Sequence, residues 1–592
     1  MSDRRKTTQG RAGKSAGTGA VYTVSITDLS NLGYGVGRLP ADGDAPGASD
    51  AGSGAAGKVI FVRGAVTGDT VETAVIKETA GYLVGRLVRV VTPSPLREPA
   101  QFCTAPEACG GCVFRHLTYA AELESKHRRV QSAFRQAGLA DVRVLPPLST
   151  GRTAGYRNKG MYPVQAGRNG MQAGFYAAKS HRLIPCADCA LQPPAFAGVV
   201  GTVCRFCDRE HIPAYDETTG AGILRHIYLR TTAAGEIMVC LVINADGLPG
   251  GRAAEARLVD CLLVEQPRTV SVLLNINRRN TNVVLGEQYR KLYGSGWIED
   301  TLCGLRFRLS AGSFYQVNRE GAELLYETAA RMAEIRGGES LWDLYCGAGT
   351  IGLSMLSPGR NARPAQVTGV EIVPEAVACA EQNARLNAEA GRIPPDAAHF
   401  FCADAGDAAA LFAAADTGAA PAPDIVIIDP PRKGTTPELI RELARRGVSR
   451  VVYVSCDPET LARDCALFRA NGYAVGEVQP VDMFPRTGHV ETVVLLSKGE
   501  IDSKKVRVEF SLEDMDMSGF QKGATYEQIK AYVLEHTGLK VSSLYISQVK
   551  RKCGLDVGQN YNLSKKEDAK VPQCPPEKES AISEALKYFG MI

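Results

Sequence analysis

The chain has 592 residues, enough for three or four domains, and its 45% apolar and 22% charged residues are typical of a globular protein rather than a disordered one. No apolar run approaches the ~20 residues that cross a bilayer, and the polar N-terminus has no secretory signal core, so no membrane contact and a cytoplasmic location are expected. The net charge of +4 equals the basic excess of the first 20 residues, which predicts a disordered basic arm over residues 1–19.

Short β-type runs separated by glycine turns fill residues 20–95, which predicts a small β-barrel. The order Gly35-Val36-Gly37-Arg38, then Ile60-Phe61-Val62, then Gly68-Asp69 resembles the TRAM domain, an oligonucleotide-binding-type barrel of RNA-modifying enzymes. A generic barrel that serves as a spacer is the alternative.

Residues 98–303 combine a predicted helix at residues 119–136, β-type runs and clustered cysteines, and we interpret them as a central α+β domain. In a reducing compartment, clustered cysteines more often bind metal or do chemistry than form disulfides. The clustered cysteines of this segment are Cys103, Cys109, Cys112, Cys186 and Cys189, with a further pair at Cys204 and Cys207.

Strands and helices alternate over residues 304–498, which predicts a doubly wound, Rossmann-like α/β domain. The strand at residues 340–344 leads into a glycine turn with Gly347, Gly349 and Gly352. The next strand ends at Glu371, where a carboxylate can bind ribose hydroxyls. Dinucleotide-binding folds share both features, so they do not identify the cofactor.

The third and fourth strands of this domain end in acids as well. Asp404 follows residues 400–403, and Asp429 opens the turn Asp429-Pro430-Pro431. Successive acids at strand ends suit a cofactor with ribose and adenine amino groups, and the rigid Pro-Pro turn presents carbonyls to a planar base. This combination favours S-adenosylmethionine over NAD.

A cysteine and a carboxylate flank two later strands. Cys456 follows the apolar run at residues 450–454, and Glu491 precedes the run at residues 492–496. Carbon 5 of uracil is a poor nucleophile, but a thiolate that adds to C6 makes an enolate able to accept a methyl group, after which a base removes the C5 proton. We therefore interpret Cys456 as the nucleophile and Glu491 as the base; a buried cysteine and a surface acid would be the alternative.

Four motifs together resemble the RNA uracil-5-methyltransferase family over residues 20–498: Asp343 to Gly352, Asp429-Pro430-Pro431-Arg432, Ser455-Cys456-Asp457-Pro458 and His489-Val490-Glu491. The resemblance implies the same roles for Cys456 and Glu491. It also implies S-adenosylmethionine contacts for Gln316, Tyr345, Thr350, Glu371, Asp404 and Asp429.

The cysteine spacing Cys103-x5-Cys109-x2-Cys112, with the distant Cys189, resembles the iron–sulfur branch of this family that modifies 23S ribosomal RNA. These four thiols would hold a [4Fe–4S] cluster. A zinc site built from two Cys-x2-Cys pairs is the alternative, and Cys186 competes with Cys189 as fourth ligand. Because the transfer-RNA branch generally lacks barrel and cluster, ribosomal RNA is the expected substrate.

Residues 499–592 form a C-terminal extension of unknown role outside the family resemblance. Helical spacing at residues 526–534 and 542–552 predicts a helical appendage. Three other functions stay open: the same reaction on transfer RNA, methylation of an exocyclic amine, and a non-catalytic iron–sulfur RNA-binding protein.

Overall fold

The computed structural model describes residues 19–498, apart from residues 31, 40–56, 100, 101, 107, 179, 282, 408–410, 413, 414 and 419, and residues 526–553, 574–589 and 591. Residues 1–18 of the predicted basic arm lie outside this part of the chain. The chain divides into two compact units, residues 1–501 and 502–592. Within the described residues, no helix is both long and apolar enough to cross a membrane.

The predicted N-terminal barrel is confirmed. Its five strands close in the order β1-β2-β3-β5-β4 around a core that includes Val24, Ile60 and Val62. Gly37 is required where β2 pairs with β1, since a Cβ at this position would lie 2.4 Å from Val24 Cγ1. The strands are Val21–Leu29 (β1), Tyr34–Arg38 (β2), Val59–Arg63 (β3), Thr70–Glu78 (β4) and Tyr82–Thr92 (β5).

A seven-stranded sheet in the order β12-β11-β10-β9-β6-β7-β8 forms the centre of the first unit. Two helices, α2 and α3, cover one face of it and share its apolar core. The strands are Lys159–Gly167 (β6), Gly170–Tyr176 (β7), Leu183–Pro185 (β8), Leu224–Thr231 (β9), Ile237–Ile243 (β10), Thr269–Ile276 (β11) and Gln288–Gly294 (β12); the helices are Pro194–Arg209 (α2) and Gly251–Glu265 (α3).

A hairpin, Ile298–Leu302 (β13) and Leu305–Leu309 (β14), leads to the predicted α/β domain, which is confirmed. Its sheet has the order β17-β16-β15-β18-β19-β21-β20, and the first five strands are parallel. The strands are Ser340–Leu344 (β15), Gln366–Glu371 (β16), Ala398–Cys402 (β17), Ile425–Ile428 (β18), Arg450–Ser455 (β19), Ala474–Val481 (β20) and Glu491–Ser497 (β21).

The carboxyl ends of the five parallel strands lie at one edge of this sheet, where open α/β sheets bind ligands. Strand β21 runs antiparallel to β19, so the start of β21 meets the end of β19 at that same edge. The helices of this domain are Arg319–Ala333 (α4), Thr350–Met355 (α5), Pro374–Glu389 (α6), Pro437–Arg445 (α7) and Pro458–Ala470 (α8).

The predicted helix at residues 119–136 is Tyr119–Gln136 (α1), and it packs against α8 rather than on the central sheet. Its apolar residues Val130 and Phe134 belong to the core of the α/β domain. Packing within the first unit therefore crosses the border predicted between residues 303 and 304. The limits predicted for the separate domains stay predictions.

Buried charges join α1 to the loop before β21. Lys126 Nζ lies 2.7 Å from Glu122 Oε1 and 2.7 Å from Asp482 Oδ1, and it also donates to the Phe484 carbonyl. All three charged side chains are buried. These ion pairs hold the loop before β21 against α1. Each buried charge is tolerated because an opposite charge lies beside it.

Replacing Lys126 by methionine should strongly destabilise the first unit, because the buried Asp482 would lose its paired cation and the buried Glu122 would keep only Arg486, 3.9 Å away. We expect a loss of about 3–5 kcal/mol, measured as a lower denaturation midpoint. Arg135→Ala, at an exposed position of the same helix, should change stability by less than about 0.5 kcal/mol. An unchanged midpoint for Lys126→Met would contradict the assignment of this network to stability.

The described part of the second unit contains three helices, in agreement with the predicted helical appendage. They are Tyr526–Thr537 (α9), Ser543–Lys552 (α10) and Pro576–Tyr588 (α11). Their shared core includes Ile529, Ile546 and Ile582.

Candidate active site

The two residues predicted to react, Cys456 and Glu491, face each other across the ends of two paired strands. Ser455 of β19 pairs with Thr492 of β21, and the Thr492 hydroxyl donates to the Ser455 carbonyl at 3.1 Å. Cys456 follows Ser455 and Glu491 precedes Thr492, so the antiparallel register brings these two positions together.

The chain turns sharply after Cys456 into helix α8. Asp457 caps this helix, because its Oδ1 accepts the Thr460 N–H at 2.9 Å, and Pro458 takes the first helical position. The Cys456 thiol is consequently held between a strand end and a helix N-terminus, in a half-buried position.

Burial decides the ionisation of both groups. It raises the pKa of Cys456 to about 11, with a further contribution from the Glu491 and Asp429 carboxyls. It raises the pKa of Glu491 to about 8, again with Asp429 adding to the effect. Burial also raises the pKa of Asp429 to about 7. A carboxyl with a pKa near 8 can exchange a proton close to neutral pH, as a general base requires.

Arg432 is the cation of this group, and the sequence assigned it no role. Its charge opposes the burial effect by lowering the pKa of both Cys456 and Glu491. Its Nη2 lies 3.2 Å from His489 Nδ1, and its carbonyl accepts the Thr460 hydroxyl at 3.0 Å. The position of Arg432 directly after Asp429-Pro430-Pro431 was the signal that could have pointed to it.

A cavity of about 920 Å³ opens beside the carboxyl ends of β15 and β16. Tyr345, Gly347 and Glu371 line it, together with Phe314, which is 66% exposed. The Glu371 carboxylate accepts the Gly347 and Val373 N–H groups, both at 3.0 Å. Two of the predicted cofactor residues, Tyr345 and Glu371, therefore share this cavity.

The glycine turn above this cavity is held by a buried acid. Asp343 Oδ2 accepts the Gly352 N–H at 2.7 Å, and burial raises the pKa of Asp343 to about 7. Gly349 has a φ of +77°, and Tyr345 reaches a φ of +63° without being a glycine. Such strained backbone is common at ligand sites.

The other predicted cofactor residues lie away from the cavity lining. The Thr350 hydroxyl is 2.9 Å from the Tyr326 hydroxyl in the core, and the Gln316 carbonyl accepts from the Asn158 amide. Asp404 accepts the Gly406 N–H at 2.8 Å, and its charge adds to the burial that raises the pKa of Tyr345. Asp429 lies next to the reacting pair, as described above.

The five clustered cysteines approach one another from two segments. Burial, and then the thiols of Cys189, Cys103 and Cys109, raise the pKa of Cys112 to about 12. Cys186 hydrogen-bonds to Cys189, which raises the pKa of Cys186 and lowers that of Cys189. In the part of the chain that the structure describes, no three His, Cys, Asp or Glu side chains are arranged to hold a metal ion.

The buried carboxyls predict how stability depends on pH. Folding raises the pKa of Glu491, Asp429 and Asp343 to about 7 or 8, from an ordinary value near 4. Groups with raised pKa values bind their protons more tightly in the folded chain, so this stabilisation is complete at acid pH and is lost as the pH rises through 7–8. The unfolding midpoint should therefore fall between pH 5.5 and 8.5.

Glu491→Gln should reduce that fall, by roughly 2–5 kcal/mol in the free energy of unfolding at pH 8.5. Glu477→Gln, at a carboxylate with a 53% exposed side chain, is the control and should leave the pH dependence unchanged. Equal pH dependence for wild type and Glu491→Gln would mean that Glu491 ionises normally in the folded chain.

Comparison with known proteins shows the family to which the chain belongs. The sequence model of the tRNA (uracil-5-)-methyltransferase family matches residues 224–499, and that of the TRAM domain matches residues 17–88. A protein of Halalkalibacterium halodurans, named as an uncharacterized RNA methyltransferase, is 35% identical over 478 residues, which is 80% of this chain and 96% of the relative. A similarly named protein of Clostridium acetobutylicum is 34% identical over 482 residues, which is 81% of this chain and 97% of the relative.

A solved structure is similar over most of its length. It is the Pyrococcus abyssi tRNA (uracil-54, C5)-methyltransferase in complex with S-adenosyl-L-homocysteine, with a TM-score of 0.61 and 25% identity over 80% of this chain and 99% of that one. The predicted TRAM domain and the predicted family are both confirmed, and the alternative of a non-catalytic protein is set aside. The chain is thus an enzyme of the RNA uracil-5-methyltransferase family, with a TRAM barrel at its N-terminal end.

Proposed function

We propose that this enzyme makes 5-methyluridine in 23S ribosomal RNA through a covalent adduct between Cys456 and C6 of the target uracil. The observation that carries the proposal is the facing arrangement of Cys456 and Glu491 at the ends of β19 and β21, with Arg432 beside both. An exocyclic-amine methyltransferase would need neither the thiol nor the base.

The residues divide the reaction between them. The Cys456 thiol gives its proton to solvent and its sulfur adds to C6, which leaves the electron pair of the C5–C6 double bond on C5 and the neighbouring carbonyl. When bound, S-adenosylmethionine supplies the electrophilic methyl group for C5. Glu491 then takes the proton from C5, the double bond forms again, and Cys456 leaves as a thiolate. The target uridine must be flipped out of folded RNA to reach the thiol.

We infer that the cavity of about 920 Å³ takes S-adenosylmethionine, with contacts from Tyr345 and Glu371, which line it. The contacts predicted for Gln316, Thr350, Asp404 and Asp429, which lie outside the lining, stay predictions. Two features support this assignment: the volume is large enough for a nucleoside cofactor, and the Glu371 carboxylate stands where ribose hydroxyls can bind. The relative of known structure was solved with S-adenosyl-L-homocysteine. Thr350 is the weakest member of the set, because its hydroxyl is bonded to Tyr326.

We also propose that Cys103, Cys109, Cys112 and Cys189 hold a [4Fe–4S] cluster, with zinc as the alternative metal. The chemistry of the donors supports this proposal, because at least four thiols from two segments lie close enough to change one another's ionisation. Their arrangement in the described residues is not that of a formed metal site, so the sulfurs would have to move closer together around the cluster. Protein purified without oxygen should contain about four irons and acid-labile sulfide. Zinc alone would overturn the cluster, and iron lost in Cys186→Ser but kept in Cys189→Ser would make Cys186 the fourth ligand.

Transfer RNA is the second candidate substrate, and a specific observation favours it. The Pyrococcus abyssi enzyme, named for transfer RNA, matches 80% of this chain, which is more than residues 98–498 contain. The match therefore extends beyond the central and methyltransferase segments, and the barrel alone does not exclude transfer RNA. The ribosomal assignment rests on the cysteine cluster.

The experiment that tests the proposal uses RNA transcribed with 5-fluorouridine. Fluorine at C5 cannot leave as a proton does, so the adduct should survive on denaturing gels when S-adenosylmethionine is present. We expect this complex with 23S ribosomal RNA and none with transfer RNA. A complex with transfer RNA only would change the substrate, whereas methylation of either RNA without any adduct would contradict the mechanism. Cys261→Ser, at a half-buried thiol on α3, should still form the complex.

A further inference from the structure

We infer that Arg129 of helix α1 is a positioning residue for the reaction, because its guanidinium ties together the two loops that carry Cys456 and Glu491. This inference rests on the proposed function for its kinetic consequences. Its structural basis is a set of hydrogen bonds that no sequence motif contains.

The guanidinium makes three hydrogen bonds that reach both loops. Its Nε and Nη2 donate to the two carboxylate oxygens of Glu459, at 3.0 and 2.8 Å. Glu459 lies in the first turn of α8, three positions after Cys456. The remaining Nη1 donates to the Gly488 carbonyl at 2.8 Å, three positions before Glu491. One planar cation is therefore shared between the nucleophile's helix and the base's loop.

The contact between Arg129 and Glu459 has a more restrictive geometry than an ordinary surface ion pair. Both bonds to Glu459 run from the flat edge of the guanidinium to the two oxygens of one carboxylate, an arrangement that fixes direction as well as distance. Only 18% of the Arg129 side chain is exposed. A lysine could keep the charge but not the three directed bonds.

The bonds continue in a closed ring that links the loops of the two reacting groups. His489 follows Gly488, and its Nδ1 lies 3.2 Å from Arg432 Nη2. The Arg432 carbonyl accepts the Thr460 hydroxyl at 3.0 Å, and Thr460 follows Glu459 in α8. Arg129 closes this ring by joining Glu459 to Gly488. Among the bonds just described, only those of Arg129 connect the ring to helix α1. Removal of Arg129 would therefore break the ring and detach it from this helix.

The neighbouring residue Arg128 offers a matched control on the same helix. Its side chain is 47% exposed, and its nearest acids, Asp28 and Glu124, are 3.6 and 3.8 Å away. It makes no hydrogen bond to the loops that carry Cys456 and Glu491 among the described residues. Loss of a cationic side chain at this turn of α1 can thus be separated from loss of the tie itself.

The test compares Arg129→Ala, Arg129→Lys and Arg128→Ala under multiple turnover with the RNA that wild-type enzyme methylates. Misplacement of reacting groups by about 1 Å can cost ~100-fold in rate, so Arg129→Ala should lower kcat by about 10- to 100-fold. The KM for RNA should change less than about twofold, since ground-state binding is not altered. Arg129→Lys should recover part of kcat, and Arg128→Ala should stay within about twofold of wild type.

A raised KM with unchanged kcat for Arg129→Ala would overturn the inference, because Arg129 would then contact RNA. Unchanged kcat and KM would overturn it too. If Arg129→Ala fails to fold, Glu459→Gln removes the partner's charge at constant volume and should lower kcat by about 3- to 10-fold, again without a change in KM.

A second readout is independent of activity. Amide hydrogen exchange of residues 484–492, measured without RNA, should be faster in Arg129→Ala than in wild type and Arg128→Ala. If the wild-type enzyme methylates neither ribosomal nor transfer RNA, but exchange is still faster in Arg129→Ala, the proposed function fails while the link made by Arg129 between the two loops is supported. Unchanged exchange in an active enzyme would instead refute the tie.

Discussion

Cys456→Ala should abolish methylation of uridine, with a loss of about 10⁴-fold or more in kcat, because C5 cannot be activated without the thiol adduct. The measurement is transfer of a labelled methyl group from S-adenosylmethionine to RNA under single turnover. The same variant should form no denaturation-resistant complex with 5-fluorouridine RNA, since the bond that would be trapped is the sulfur–C6 bond.

Binding should survive this change, which separates lost chemistry from lost structure. Cys456 is half-buried at the strand end and contributes little to the packed core, so the affinity of Cys456→Ala for RNA should stay within about threefold of wild type. Methylation at C5 by Cys456→Ala at more than a few per cent of the wild-type rate would refute covalent catalysis by this residue.

Glu491→Gln should stop the reaction one step later and accumulate a covalent complex with ordinary, unsubstituted RNA. The amide can keep the size and a hydrogen bond but cannot take the C5 proton, so the methylated adduct should persist, with turnover lowered by about 10²- to 10⁴-fold. Denaturing gels should show the complex, and mass spectrometry should find Cys456 joined to 5-methylated uridine.

Two further variants make this outcome specific. The double variant Cys456→Ala with Glu491→Gln should form no complex, because the thiol that makes the bond is absent. Glu477→Gln, at a solvent-exposed side chain of β20, should turn over normally. Release of product by Glu491→Gln at the wild-type rate would assign the proton transfer to another group.

Much of the fold could be predicted because local sequence patterns specify it. Apolar runs that end shortly before Asp429 and Cys456, or begin after Glu491, located strand ends, and parallel strands bring their carboxyl ends to one edge. Helix α1 was predicted with its observed bounds, Tyr119–Gln136. The pairing of Ser455 with Thr492 could only be expected in outline, since register depends on contacts between strands.

The parts of the site that escaped prediction depend on distant residues. Arg129 and Glu459 are 330 positions apart, and no local pattern connects them. Thr350 illustrates the opposite case, since its place in the glycine turn indicates a cofactor contact, whereas its hydroxyl bonds to Tyr326 of α4. Side-chain direction at a helix start is decided by tertiary packing, which the sequence does not display.

The packing of α1 has a consequence for how this enzyme can be divided. Strand β20 also receives the segment that follows α1, through bridges between Val144 and Val478 and between Leu148 and Val481. The methyltransferase domain is therefore built from two separate segments of the chain. Residues 304–498 expressed alone would lack helix α1 and the extended segment that covers one edge of their sheet. A chimera between relatives should exchange residues 119–148 together with residues 304–498. If only one of the two segments is exchanged, the contact surfaces of the two segments come from different proteins and will pack poorly.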